Sequence, residues 1–113
     1  MKTKLPPNTQ AYKPLLNKFM DELKHLYGQR LVSLILFGSF ARGTMHDESD
    51  IDLLVVLRDM NSPYEEIDCM GDIKNDFLLE NDLVISTIPT TLSRFNANAE
   101  PLYKIIKKEG IVL

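Results

Sequence analysis

Apolar positions recur at helical spacing in the first quarter of the chain and then change period. Between about Gln10 and Tyr27, the residues Leu16, Phe19, Met20, Leu23, Leu26 and Tyr27 fall three or four apart, as on one helix face. Pro14 belongs to the first turn of that helix, where its missing N–H costs nothing, and Gly28 supplies the stop. Residues 1–8 read as a loose lead-in, because Pro6-Pro7 cannot continue a regular ladder. The run Leu31 to Phe37 is short, apolar and partly β-branched, bounded by Gly28 and Gly38, and predicts a central strand. Asp50 to Leu57 reads the same way, with Ile51, Leu53, Leu54, Val55 and Val56 covering both faces. Strands that are apolar on both faces are buried on both sides, which implies helices packed on the sheet.

The second half continues this alternation. Ser62-Pro63-Tyr64-Glu65 has capping-box spacing, with proline at the first helical position. The helix it opens runs to about Leu79 and should bury Ile67, Met70, Ile73, Phe77 and Leu78. Asp82 to Ile88 predicts a third strand, ended by Pro89, and Thr90 to Phe95 a short helical turn. Asn98 is placed to cap a last helix through Glu109, with Leu102, Ile105 and Ile106 inward and Gly110 as its stop. The apolar Ile111-Val112-Leu113 should dock rather than dangle. The order is helix, strand, polar connection, strand, helix, strand, helix. It predicts an α/β fold with a small mixed sheet flanked by helices, in one domain over residues 1–113.

Composition narrows the function classes. A formal net charge of -3 argues against non-specific nucleic-acid binding. No run approaches the roughly 20 apolar residues of a membrane span, and no apolar segment follows the basic N-terminus to make a secretory signal. The lone Cys69 excludes an internal disulfide, reads as a small packing residue, and is compatible with the expected location, the cytoplasm.

The chemistry concentrates in the connection between the first two strands, Gly38 to Asp52. Two carboxylates at i and i+2 on a strand point to one face, so Asp50 and Asp52 can share a hard cation such as magnesium. Gly38 lets the backbone approach a phosphate closely, and Ser39 adds a hydroxyl and an N–H. A helical turn starting at Ser39 would add a favourable dipole for the anion. Arg42 can clamp phosphate oxygens or form a structural salt bridge. A third carboxylate on a neighbouring strand would complete a two-metal arrangement; Asp82 is the first candidate, with Asp76 and Glu80 behind it. Alone, two aspartates at a strand start are more often solvated ends, and Asn81-Asp82 could simply be a turn; the Gly38-Ser39 pair at its distance makes the ligand reading the better one. His46 and the Asp47-Glu48 pair read as a solvated loop. An EF-hand fails on Ser49 and Ile51, and a Walker loop fails because no Gly-Lys-Ser/Thr follows Gly38. Lys104, Lys107 and Lys108 form a basic patch, by default a solvated face.

Gly38-Ser39, ten residues, then Asp50-Ile51-Asp52 resembles the signature of the polymerase-β-type nucleotidyltransferase superfamily. The fuller run Leu36-Phe37-Gly38-Ser39-Phe40-Ala41-Arg42-Gly43 is similar to the minimal nucleotidyltransferase (MNT) proteins of prokaryotes, and Leu102 to Gly110 looks like their closing helix. The resemblance implies magnesium-dependent transfer of a nucleoside monophosphate, usually AMP from ATP, to a hydroxyl. It implies that Gly38 and Ser39 hold the β/γ-phosphates and that Asp50 and Asp52 ligate two magnesium ions. Asp82 would bind the catalytic metal and help deprotonate the acceptor. It further implies a HEPN-family toxin as partner, silenced by AMP on a tyrosine.

Two other classes compete. One is an antitoxin or adaptor that keeps the fold and acts by occlusion. The other is a small-molecule transferase, whose relatives usually carry an extra helical domain for the acceptor.

Overall fold

In a computed structural model describing residues 1–113, a four-stranded mixed sheet separates two helical layers. In chain order the elements are α1 (Lys13–Tyr27), β1 (Leu31–Phe37), α2 (Ser39–Arg42), β2 (Ile51–Leu57) and α3 (Pro63–Asn81). They continue as β3 (Ile85–Thr91), α4 (Leu92–Asn96), α5 (Pro101–Glu109) and β4 (Ile111–Val112). The sheet order is β3-β2-β1-β4, with β1 antiparallel to β2 and to β4, and β2 parallel to β3.

The two apolar runs are the two central strands, and alternation along β2 sorts their side chains. Ile51, Leu53, Val55 and Leu57 enter the larger core with Leu16, Phe19 and Leu23 of α1 and Met70 and Phe77 of α3. Leu54 and Val56 face the opposite way, onto Phe95 of α4 and Tyr103 and Ile106 of α5. Asp52 lies on this second face by the same period of two. Phe19 is fully buried and meets Phe77 edge to face at 5.3 Å, a contact contributing about 1 kcal/mol beyond the area buried.

Several expectations shift. Residues 1–8 are not a loose lead-in: Pro7 to Tyr12 form a 3₁₀ turn, Leu5 and Thr9 are buried, and Lys2 bridges to Ile111. The third strand begins at Ile85 rather than Asp82, because α3 continues to Asn81 and Asp82 closes it in the left-handed region. That strand also runs through Pro89 to Thr91; β3 is an edge strand, where an absent N–H removes no ladder bond. The last helix begins at Pro101, not at Asn98, which takes a left-handed φ of 52° in the turn after α4. Ile67, Leu78 and Ile105, expected inward, are exposed, as is Cys69. The three closing apolar residues do dock: β4 pairs Ile111 with Leu36 and Val112 with Ile35, and the Leu113 N–H donates to the Leu34 carbonyl.

Candidate active site

Both central strands deliver their chemistry to one end of the sheet. β1 ends at Phe37; Gly38 follows, with a φ of 74° at which a side chain is strained, and α2 starts at the next residue. A Cβ built on Gly38 would stand 2.4 Å from Oδ2 of Asp52, so the carboxylate packs directly on the glycine Cα. Only glycine fits. The strand register accounts for the approach, because Asp52 lies opposite Phe37, the residue before Gly38.

The turn itself is tightly held. The Ala41 and Arg42 N–H groups both donate to the Gly38 carbonyl at 3.1 Å, and the Thr44 N–H donates to the Ser39 carbonyl at 2.9 Å. Ser39 and Phe40 therefore open α2, at positions whose N–H groups have no intrahelical acceptor. From beneath, buried Thr9 donates to the Phe40 carbonyl at 2.7 Å, and the Asn8 amide donates to the Gly43 carbonyl. Tyr12 meets Phe40 edge to face at 5.0 Å. Of these braces only Asn8 belongs to the segment read as a lead-in, Thr9 follows it directly and Tyr12 falls within the first predicted helix; no local pattern signals them, since the two hydrogen bonds join residues 31 and 35 positions apart.

Asp50 and Asp52 come together. Asp52 is half-buried, and its carboxyl is held above the usual carboxylate range, first by desolvation and then by the neighbouring charge of Asp50; Arg42 opposes the shift. Arg42 also pairs with Glu109 at the end of α5, 3.3 Å away, so it serves both as a structural salt bridge and as a positive charge bearing on Asp52. Across β3, the residue paired with Asp52 is Ser86, which places a hydroxyl-bearing residue beside the carboxylates that the sequence pattern did not single out. Only the strand register reveals it.

Asp82 does not complete a triad of acids here. It caps α3, is exposed, and is not among the charges acting on Asp52. No group of three His, Cys, Asp or Glu side chains is brought together. Asp82 instead lines a cavity of about 390 Å³ with Tyr12, Phe40, His46 and Asn81. The physical cause is the helix end: Asn81-Asp82 terminates α3 before the chain reaches the sheet. Its loop is nevertheless tied to the site, since the Ile51 N–H donates to the Val84 carbonyl at 2.9 Å. Asp76 and Glu80 lie along α3 beside Lys18, with Glu80 paired to Lys18 at 3.4 Å. His46, Asp47 and Glu48 form an exposed turn closed by Ser49, whose hydroxyl accepts from the His46 N–H at 2.9 Å.

A family model described as a nucleotidyltransferase domain matches residues 16–113. The chain belongs to that family. This places it among the nucleotidyltransferase enzymes, as Gly38-Ser39 and Asp50-Ile51-Asp52 implied. Two curated relatives, both from Methanocaldococcus jannaschii, bear the provisional name protein adenylyltransferase. MJ1305 is 40% identical over 77 residues, covering 66% of this chain and 51% of its own. MJ0604 is 34% identical over 99 residues, covering 87% of this chain and 93% of its own. The chain thus spans about half the length of the first and nearly all of the second.

Among solved structures, a provisionally named nucleotidyltransferase from Sulfolobus solfataricus superposes with a TM-score of 0.63 at 19% identity, over 93% of this chain and 81% of that one. A toxin–antitoxin structure with AMP-PNP superposes with a TM-score of 0.60 at 19% identity, over 84% and 69%. At these identities the likeness establishes the nucleotidyltransferase fold and nothing finer.

Proposed function

We propose that this chain, taken as one minimal nucleotidyltransferase domain, transfers AMP from ATP to a protein hydroxyl, in an antitoxin role toward a HEPN-family partner carrying an acceptor tyrosine. The observation that carries the reading is the Asp50–Asp52 pair, with Asp52 packed on the Cα of Gly38 and its carboxyl raised by burial and by its neighbour. Two like charges so placed call for a cation. Magnesium usually takes one or two protein carboxylates and completes its shell with phosphate and water, and this donor set fits that chemistry.

In this reading Asp50 and Asp52 hold two magnesium ions, and Gly38 and Ser39 present backbone and hydroxyl to the β/γ-phosphates. Magnesium held there would neutralise charge on the triphosphate; the acceptor hydroxyl gives its proton to a base, its oxygen bonds the α-phosphorus, and the α–β phosphoanhydride bond breaks to release pyrophosphate. Arg42, anchored by Glu109, adds a positive charge at the same corner. Asp82 is kept as the candidate third acid: its side chain has no ion pair or hydrogen bond in the fold, and its loop is bonded to β2 through Val84 and Ile51. Orientation and charge neutralisation carry most of the rate.

The separation of Asp82 from the pair favours one competing reading, a domain that binds a toxin and silences it by occlusion. Incubation with α-labelled ATP, magnesium and a HEPN protein separates them. Label on a toxin tyrosine, lost in Asp50→Asn plus Asp52→Asn, supports transfer. Silencing that persists in that variant without label overturns it.

A further inference from the structure

Beside the catalytic turn lies a second feature with the opposite charge. A groove of about 460 Å³ is bounded by Lys2, Lys4 and Arg42 over a floor that includes Leu5, Ala41 and Ile111. The three floor residues are buried. No carboxylate lines this groove, in a chain whose formal net charge is -3. Arg42 has Glu109 as a partner, whereas Lys2 and Lys4 form no ion pair. The Lys2 backbone is also held in place: its N–H donates to the Gly110 carbonyl at 3.1 Å, and its carbonyl accepts from the Val112 N–H at 2.9 Å.

We propose that this groove is the docking track for an acidic segment of the protein that receives the transferred group, with Arg42 marking where the track meets the site. The inference rests on the transferase reading above and adds to it the acceptor's chemistry. Cations over an apolar floor suit a peptide, which brings carboxylates and side-chain carbon together; a sugar-phosphate backbone brings no apolar surface to that floor.

The sheet also sets the spacing. Lys2 bridges to β4, β4 pairs with β1, and β1 pairs with β2, so Lys2 stands three strand intervals, about 14 Å, from the strand bearing Asp52. An extended peptide covers that in about four residues. The acidic run of the acceptor therefore lies about four positions from its hydroxyl residue.

The test uses the full chain and three fluorescent probes: a tyrosine peptide with four glutamates beginning four residues away, its glutamine counterpart, and a single-stranded RNA. At low salt the glutamate peptide should bind about tenfold tighter than the glutamine peptide, a difference erased in Lys2→Glu/Lys4→Glu and reduced in Lys2→Gln/Lys4→Gln. With α-labelled ATP, the charge-reversed variant should raise KM for the glutamate peptide and leave kcat unchanged. The Asp50→Asn/Asp52→Asn variant should lose transfer yet bind the peptide as before. Equal binding of the two peptides, or RNA binding more tightly through the same lysines, overturns the docking track. Tight, lysine-dependent peptide binding without any transfer leaves the track standing and counts against the transferase reading.

Discussion

The two ends of the sheet treat buried charge in opposite ways. At one end Asp50 and Asp52 are placed side by side, and the positive charge reaching Asp52 is Arg42, which Glu109 already holds. At the other, roughly 20 Å away along seven-residue strands, buried Glu66 meets Arg30 at 2.7 Å, and Arg30 also donates to Asp59 at 2.9 Å. Arg30 lies over the Tyr27 ring as well, and Tyr27 donates from its hydroxyl to the Glu66 carbonyl. Desolvation first, then Glu66, pushes the Tyr27 hydroxyl pKa well up, so it stays a donor throughout the working pH range. Breaking a buried pair leaves a charge uncompensated and costs stability, whereas like charges set together without a cation make a candidate binding site.

The sharpest way to break this contrast is to remove the charge at the acidic end. Asp50→Asn plus Asp52→Asn should lower kcat for AMP transfer by about 10³-fold, measured with labelled ATP, while circular dichroism shows an unchanged fold. At the other end, Arg30→Ala leaves Glu66 buried without its cation. A loss of about 2 kcal/mol in a urea titration is expected, moderated because the arginine is partly solvated, with kcat unaffected. A fall in kcat in Arg30→Ala, measured where that variant is still fully folded, would show the two ends to be coupled.

Smaller effects sharpen the comparison. Thr9→Val removes the buried bond to the Phe40 carbonyl and should cost about 1 kcal/mol while raising KM for ATP, since the turn it braces carries Ser39. The pH response of Asp52 tests the sign. Its folded-state pKa is raised, so the native state holds the proton more firmly than the unfolded chain does. The destabilisation is therefore absent below the unfolded value, grows as pH rises through the folded one, and is complete above it. Without divalent cations, Asp52→Asn should melt above the parent protein at neutral pH, with the gap closing as pH falls into the carboxylate range. Scanning calorimetry reads both limits, and a mutant that melted lower at neutral pH would refute the assignment.

Much of this was legible from short-range pattern. Leu31 to Phe37 and Ile51 to Leu57 are strands because continuous apolar runs of that length have few other fates, and the i, i+2 spacing set Asp50 near Asp52, although β2 begins at Ile51 and Asp50 stands just before it. What was not legible was relational. Asn8 and Thr9 look like loop residues until Phe40 and Gly43 are above them. Pro89 reads as a terminator unless its strand is known to be outermost. Ser86 acquires interest only from its register with Asp52, and Ile67, Leu78 and Ile105 follow helical periodicity yet find no layer to cover them.

Both margins of the sheet carry an obstacle to an incoming strand. On one side Lys2 already occupies the hydrogen-bonding positions beyond Ile111, and on the other Pro89 interrupts the row of donors that an incoming strand would need. Both features work against lateral pairing with another strand. Surfaces made of side chains and helices are left as the open ground for association, and these can change by substitution while the sheet stays as it is.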